Sequence, residues 1–441
     1  MANIKTFLGA NTPKGFTWMQ NEIYNPYKNE KIYIIKGGAG TGKSTFMKKI
    51  ADRGEKLGFS VERIYCSSDP KSLDGVRINE LDFCIIDGTS PHVADPMFPG
   101  AAENIINLSE FWDKNKLFEK REEIKALSLE NSLYHRKASL YLSSAGGVYE
   151  DMRKTVSTHI KEEKIYSFAT RFVLRELPKK KDGKTGKKQR RYISGITPEG
   201  IVFFGETFKA LSLRVIGIKD DYSAVSPLII DLIAEGATRR GYDVILCPCV
   251  MKGELTEHII IPEMNLSVVT VKKRHNMKLT PVRLIHTERF LYTDELSGYK
   301  NKLSCSGKIL DELLKESVFY LKKAKATHDM LEKCYIEAMD YERLDEFALL
   351  EHFLEELFGI DGILVIEVYE KRILDFKNTV DLLSQCLFIE KFGNLETDLC
   401  VFIGEERSDT GLCRSESLAT QSLFLKLVEI NMVRHYYLNS V

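Results

Sequence analysis

The feature that most constrains this chain is an internal repeat, because duplicated segments are expected to fold twice into the same architecture. The segment KLGFSVERIYC at 56–66 resembles RRGYDVILCPC at 239–249, so Gly58 aligns with Gly241, 183 positions later. The same offset, held without gaps, also pairs Cys66 with Cys249. We interpret the repeat as a tandem duplication.

Matches on either side of this segment keep the same order along the chain. Upstream, NTPKG (11–15) matches ITPEG (196–200) at an offset of 185. Downstream, NKL (115–117) matches NKL (301–303) at an offset of 186. Small changes of offset are what short insertions in loops produce, so the duplication is predicted to extend over most of the chain.

Each copy follows one pattern of strands and helices. Apolar runs predict strands at 31–36, 61–66 and 82–87 in the first copy, and at 214–219, 244–249 and 265–270 in the second. A helix lies between the first two strands of each copy and ends near Gly58 or Gly241, where glycine suits a left-handed cap. Alternating strands and helices predict an α/β fold with a parallel sheet in each copy. Long amphipathic stretches then predict a helical hairpin appended to each sheet.

The predicted domain organisation follows from the repeat. A first module covers residues 1–178, a basic linker covers 179–191, and a second module covers 192–358. Residues 359–441 form a C-terminal extension without a counterpart in the first copy. It contains strand-like runs near 363–369 and 398–403, and the sequence assigns it no role.

Charge and composition limit the classes of partner. The chain has 441 residues, and its 63 basic and 63 acidic residues give a formal net charge of zero, so bulk charge favours neither nucleic acid nor membranes. The linker KKKDGKTGKKQRR carries no aromatic residue to stack bases, and a mobile solvated linker is the preferred interpretation. Nine scattered cysteines, no signal peptide and no apolar run of spanning length predict a cytoplasmic protein with reduced thiols. Cys247 and Cys249, the only close pair, are interpreted as core residues rather than metal ligands.

A glycine-rich segment between the first predicted strand and helix carries the functional prediction. Residues 37–44 fit the phosphate-binding pattern G-x-x-x-x-G-K-[ST], in which backbone N–H groups and a helix N-terminus surround phosphate oxygens. Lys43 is predicted to contact the β- and γ-phosphates, and Ser44 and Asp87 to hold Mg²⁺, Asp87 through water. The predicted nucleotide-binding residues are Gly37, Gly38, Ala39, Gly40, Thr41, Gly42, Lys43, Ser44 and Thr45.

The corresponding segment of the second copy has lost this chemistry. At the offset of 183, Asp220 replaces Gly37, Val225 replaces Gly42, Ser226 replaces Lys43, Pro227 replaces Ser44 and Thr270 replaces Asp87. Asp220 and Asp221 would place carboxylates where phosphates would lie. We therefore expect the second module to be degenerate, serving as scaffold or as a wall of the first site.

Two further side chains are candidates for catalysis. His92, in the turn-rich segment DGTSPHVADPMFPG (87–100), is a candidate for sensing the γ-phosphate or assisting proton transfer, with an ordinary loop histidine as the alternative. Asp69 could contact substrate or water, although a solvated turn before Pro70 is the favoured interpretation.

Four motifs together resemble a family of bacterial ATP-binding proteins or ATPases that carry two P-loop modules in tandem. They are FLGANTPKG (7–15), KGGAGTGKST (36–45), DGTSPHVADPMFPGA (87–101) and INLSEFWD (106–113). The resemblance implies a P-loop NTPase fold, nucleotide binding and a cytoplasmic setting. Members of the family generally keep a usable loop in both modules, and this chain departs from them in the second.

Three functions remain open on the sequence. The first is a Mg²⁺-dependent ATPase with one competent site, a hydrolase acting on the β–γ phosphate bond. The second is a phosphotransferase acting on a nucleotide or small molecule, and the third is a nucleotide-gated protein whose second module and tail bind a protein partner. The third strand can lie next to the strand that precedes the glycine-rich segment, as in kinases and GTPases, or one strand away, as in many ATPases.

Overall fold

The computed structural model describes residues 4–28, 31–181, 183–274, 277, 279–341, 343, 388–391 and 399–402. Residues 1–350 form one compact unit and residues 351–441 form another. Both copies of the repeat therefore belong to a single unit. Within the described residues, every helix is too short or too polar to span a membrane.

The elements of the first copy follow the predicted order, with several additions. They are β1 (Ile4–Phe7), β2 (Gly9–Thr12), β3 (Gly15–Trp18), β4 (Lys31–Lys36), α1 (Lys43–Lys56), β5 (Val61–Tyr65), β6 (Leu73–Ile78), β7 (Phe83–Asp87), β8 (Glu103–Asn107), α2 (Lys114–Glu119), α3 (Arg121–Ser157) and α4 (Glu162–Glu176).

The second copy repeats this order. Its elements are β9 (Lys188–Arg190), β10 (Ser194–Thr197), β11 (Gly200–Phe203), α5 (Glu206–Leu211), β12 (Arg214–Lys219), α6 (Ser226–Arg239), β13 (Val244–Cys249), β14 (Lys252–Ile261), β15 (Leu266–Val271), β16 (Arg283–His286), α7 (Thr293–Ser297) and α8 (Lys300–Ile336). As predicted, Gly58 and Gly241, just beyond α1 and α6, have positive φ angles of 92° and 94°.

The two copies build six-stranded sheets with the same strand order. The first runs β1-β5-β6-β7-β4-β8, and the second runs β9-β13-β14-β15-β12-β16. The prediction of α/β architecture is confirmed, but the prediction of purely parallel sheets is wrong. Strands β6 and β14 run antiparallel to both of their neighbours. Each is an additional strand, which lies along the chain and in the sheet between the predicted second and third strands of its copy.

In the first copy the long helix does not pack as a hairpin with the next helix, contrary to the prediction; in the second copy most of the predicted second arm lies outside the described residues. Helices α3 and α8, of 37 residues each, instead pair with each other. Asn131 Nδ2 donates to the carbonyl oxygen of Ala324 at 2.7 Å, and Ser317 Oγ donates to that of Ala138 at 3.0 Å. Residue numbers thus rise along one helix as they fall along the other, which makes the pair antiparallel. The apolar stripe of each helix is covered by the other copy.

Reciprocal contacts show that the copies are related by an approximate twofold axis. Asp113 N donates to Ala338 O at 2.7 Å, and Tyr292 N donates to His159 O at 2.8 Å. Each residue of the second bond lies 179 positions from its equivalent in the first. Helices α3 and α8 also begin 179 positions apart, at Arg121 and Lys300. The matches at an offset of 186 are therefore wrong, because this part of the second copy is shorter than the sequence comparison indicated.

The basic segment 179–191 is attached to the second copy, so it is not the mobile linker that was predicted. Its strand β9 pairs in parallel with β13, in the position that β1 occupies beside β5. Lys187 N also donates to Asp243 Oδ1 at 2.6 Å. The described part of the C-terminal unit contains β17 (Phe388–Lys391) and β18 (Leu399–Phe402), which form an antiparallel pair. The strand predicted near 398–403 is thereby confirmed, and the run 363–369 lies outside the described residues.

A buried ion pair joins the two copies beside the axis. Arg191 Nε donates to Glu62 Oε1 at 2.7 Å, and Thr6 Oγ1 donates to the same oxygen at 2.7 Å. Burial acts to raise the pKa of Glu62, but the charge and hydrogen bonds of Arg191, together with the bond from Thr6, hold that pKa below its usual range. Glu62 therefore stabilises the fold as a carboxylate, and this contribution is lost as the pH falls through its lowered pKa.

Replacing Thr6 with valine keeps the shape and removes one hydrogen bond to the buried carboxylate. We expect the free energy of unfolding to fall by about 1.5 to 3 kcal/mol at neutral pH, the range for a bond to a charged group. The deficit should shrink in acid, where Glu62 is protonated. Urea denaturation at several pH values measures both effects. Thr17→Val is the control, because Thr17 also lies in a strand but makes long contacts with uncharged groups, 3.4 Å to Ala10 O and 3.3 Å to Tyr192 Oη. An equal loss in both variants would contradict the prediction.

Candidate functional site

Residues 37–44, named here the first loop, connect β4 to α1. Gly40 and Gly42 have φ angles of 71° and 83°, a region that glycine enters without the steric cost of a Cβ atom. Helix α1 begins at Lys43 with Gly42 as its N-cap and no side-chain cap. Among the described residues, the backbone N–H groups of residues 38–45 donate to no protein acceptor. The loop therefore presents a set of amide donors at the positive end of a helix dipole.

The predicted lysine and carboxylate lie beside this loop. Lys43 Nζ donates to the carbonyl oxygens of Gly37 and Gly38, both at 2.7 Å, and lies 3.7 Å from Asp87 Oδ2. Burial raises the pKa of Asp87, although Lys43 and Thr89 oppose the shift. Thr89 N donates to Asp87 Oδ1, and Thr89 Oγ1 donates to Gly37 O, each at 2.8 Å. Thr89 thus fixes the carboxylate against the loop, a role that the sequence did not reveal.

The remaining predicted residues follow the same path of the chain. Ser44, in the first turn of α1, accepts a hydrogen bond from Leu73 N at 2.9 Å. Thr41 is buried and donates to Gly38 O at 3.0 Å, while Thr45 is exposed. Strand β7, which ends at Asp87, pairs directly with β4, so Ile35 lies opposite Asp87. Of the two strand orders left open by the sequence, the structure shows the adjacent one.

Residues 220–227, named here the second loop, place one of their own side chains where an anion would bind. Asp220 is 3% exposed, and its Oδ2 accepts hydrogen bonds from the backbone N–H groups of Val225 and Ser226, both at 2.8 Å. One carboxylate thus occupies the amides at the start of α6, where an anion would otherwise bind. Asp221 turns away and accepts from Lys273 N at 2.8 Å. The expectation of two carboxylates facing the anion position is met by Asp220 alone.

The last turns of α8, from the second copy, cover the first loop. A Cβ atom on Gly40 would lie 2.7 Å from Glu332 O and 2.8 Å from Ile336 Cγ1. Gly38 faces Trp112, whose ring lies 5.1 Å from that of Tyr335 between centroids. These contacts place the second copy against the outer side of the loop, and the backbone contact at Gly40 leaves no room there for a side chain.

The two candidate catalytic side chains outside the loop lie in different surroundings, and Asp69 forms the predicted turn, with Oδ1 accepting from Lys71 N at 3.1 Å. Asp69 Oδ2 is 3.3 Å from Lys325 Nζ of α8 and accepts from Ser72 Oγ at 2.9 Å. His92 is only 4% exposed, and the rings of Phe16 and Trp18 lie 5.1 and 4.7 Å from it between centroids. Burial, followed by the charge of Lys43, lowers the pKa of His92 to about 4, so the ring is neutral at pH 7.

His92 lies in a buried cluster with two residues that the sequence did not single out for chemistry. His92 Nε2 is 3.3 Å from Asp74 Oδ2 and 3.9 Å from Cys66 Sγ. Burial and the neighbouring Asp87 carboxylate raise the pKa of Asp74 well above its usual range. The cluster depends on β6, which carries Asp74, and β6 was not predicted. No sequence signal available without that strand would have joined these residues.

No family model, curated protein or solved structure matches this chain. The function of the site is therefore inferred from its own residues.

Proposed function

We propose that the protein binds ATP at the first loop and hydrolyses its β–γ phosphate bond there. One observation carries the proposal. The two loops descend from the same sequence, yet the amides of the first have no protein acceptor among the described residues, whereas Asp220 occupies those of the second. A triphosphate supplies the anionic oxygens that the first loop lacks. The amides of the second loop already have an acceptor in Asp220.

The residues around the first loop have complementary roles in this proposal. The amides of residues 38–45 would hold the phosphate oxygens, and Lys43 would leave the carbonyls of Gly37 and Gly38 to contact the β- and γ-phosphates. Ser44 and Asp87 would hold Mg²⁺, because hydroxyl and carboxylate oxygens are the ligands that this hard cation prefers. When bound, Mg²⁺ neutralises charge that develops on the phosphates during transfer. Thr89 keeps Asp87 oriented throughout.

A second candidate function is phosphoryl transfer to an acceptor other than water. The direct pairing of β7 with β4 is compatible with it, because kinases share that strand order, although GTPases, which transfer the phosphoryl group to water, share it too. Turnover of ATP without an added acceptor supports hydrolysis. Turnover that appears only with a metabolite supports transfer, and binding without turnover under either condition supports a nucleotide-gated interaction protein.

Titration of the full chain with Mg²⁺ and ATP by calorimetry tests the proposal. We expect one site per chain, because the second loop has filled its own anion position. The same titration with Asp87→Asn should retain the stoichiometry and lose most of the Mg²⁺ dependence. Two equivalents per chain, or none, would contradict the proposal.

A further inference from the structure

The buried cluster of Cys66, Asp74 and His92 brings three different metal-binding side chains together. Cys66 follows β5, Asp74 lies in β6, and His92 lies in the segment after β7. One ligand atom from each residue lies within 4.8 Å of the other two, and all three fall within the described core of the first copy. A thiol, a carboxylate and an imidazole from three separate segments thus converge on one point.

The spacing of these atoms fits a small tetrahedral ion. With ordinary zinc bond lengths, a tetrahedral site separates a nitrogen ligand from an oxygen ligand by about 3.4 Å and from a sulfur ligand by about 3.6 Å. The corresponding distances here are 3.3 Å from His92 Nε2 to Asp74 Oδ2 and 3.9 Å from His92 Nε2 to Cys66 Sγ. Both distances from His92 Nε2 lie within a few tenths of an ångström of these values, and the third pair of ligand atoms lies within 4.8 Å.

Two polar atoms of the cluster have no hydrogen bond among the described residues. Asp74 Oδ2 and His92 Nδ1 are both buried, in side chains that are about 5% exposed. The short approach of Asp74 Oδ2 to His92 lacks the geometry of a hydrogen bond. A buried carboxylate oxygen without a partner costs about 1 to 3 kcal/mol or more, so a ligand at Asp74 Oδ2 would remove a real penalty.

The second copy contains a cation at the equivalent place. Cys249 and Glu257 occupy the positions of Cys66 and Asp74, and Lys272 occupies that of Thr89. The ammonium of Lys272 pairs with Glu257 and lies 3.8 Å from Cys249 Sγ. The first copy has no lysine at this position, since Thr89 replaces it.

Two neighbouring carboxyl groups lie near the first cluster, and Lys43 supplies a countercharge for only one of them. Asp74 and Asp87 lie on neighbouring strands, with Gly75 opposite Ile86. Lys43 is bonded to the loop carbonyls and lies beside Asp87, so it accounts for one carboxylate of the two. The second copy has one carboxylate here, Glu257, and one lysine.

We propose that Cys66, Asp74 and His92 bind one divalent ion of the zinc class, with a fourth position open to water. Sulfur and nitrogen ligands select zinc-like ions over Mg²⁺, which prefers oxygen alone. Binding replaces the thiol proton of Cys66 with the metal and releases that proton to solvent. The ion ties β5, β6 and the segment after β7 together behind the first loop. The proposed metal site does not require bound nucleotide, so the test of metal binding and the test of ATP hydrolysis have independent outcomes.

Titration of the metal-free full chain with Co²⁺ tests the site, because cobalt reports a thiolate ligand by a charge-transfer absorption band. We expect one equivalent of Co²⁺ with such a band, and its displacement by Zn²⁺. Cys66→Ser should abolish the band, and Asp74→Asn, which keeps the shape of the side chain, should weaken Co²⁺ binding at least about tenfold.

Cys249→Ser is the matched control, because Cys249 is the equivalent thiol beside Lys272. We expect this variant to bind Co²⁺ as the wild type does. Circular dichroism establishes that each chain is folded. If Cys66→Ser does not fold, the Co²⁺ affinity of Asp74→Asn tests the proposal in its place. The proposal is overturned if folded wild-type chain shows no thiolate band, or if the band persists at full strength in Cys66→Ser and Asp74→Asn.

Discussion

Replacing Lys43 with alanine is expected to weaken ATP binding by about 2 to 4 kcal/mol, or roughly 30- to 700-fold, and to reduce turnover to background. The ammonium lies against the first loop, within 2.7 Å of Gly37 O and Gly38 O. Its loss removes the counter-charge for the β- and γ-phosphates and leaves Asp87 to repel them. Calorimetric titration and phosphate release measure the two effects.

The control for this experiment lies on the same helix. Lys49 is exposed on α1, away from the loop, so Lys49→Ala removes an equal charge without touching the site. We expect its affinity and turnover to match the wild type. Unchanged ATP affinity in a folded Lys43→Ala chain would remove the first loop from the function, whatever the activity of the wild type.

The local parts of the fold were accessible from the sequence because local patterns determine them. The strand predicted at 31–36 agrees with β4 (Lys31–Lys36), and the strand at 82–87 agrees with β7 (Phe83–Asp87) to within one residue. Apolar runs bounded by glycine specify such strands without reference to the rest of the chain. The offset of 183 held across this region for the same reason, since a buried sheet tolerates few insertions.

The pairing of α3 with α8 was not accessible, because an amphipathic face shows that a helix is covered but not which segment covers it. Charged heptad-like sequences also resemble one another at many shifts. The tripeptide NKL at 115–117 lies in α2, whereas NKL at 301–303 lies in α8, so the match was coincidental. Contacts between residues almost 200 positions apart decide this part of the fold.

The candidate site likewise contains residues that local sequence patterns predicted and residues that only distant contacts bring together. Lys43, Ser44 and Asp87 were found because a strand, a loop and a helix place them by sequence spacing. Asp74 and Cys66 were missed because their approach to His92 depends on β6 and on its antiparallel register with β7. Trp112 and Tyr335 meet beside the first loop only because α8 crosses from the second copy.

The second copy offers the second large effect, because Lys272 is buried against a carboxylate. Lys272→Met is expected to lower the free energy of unfolding by about 3 to 5 kcal/mol, since it leaves Glu257, which is 1% exposed, without its countercharge. Burial acts to lower the pKa of Lys272, but the neighbouring Cys249, Glu257 and Tyr149 raise it well above its usual range. The contribution of the Lys272 charge is therefore present in the neutral range and is lost as the pH rises through that raised pKa. Urea denaturation near pH 7 measures the loss.

The double variant Glu257→Met with Lys272→Met separates an unpaired charge from lost packing. Two methionines of similar volume remove both charges, and we expect a stability within about 2 kcal/mol of the wild type. A double variant as unstable as the single one would mean that packing, rather than charge, holds this cluster together. In that case the second copy would no longer indicate that a cation is stabilising at this position of the fold. The proposal of a metal site in the first copy would then rest on the geometry of its ligands alone.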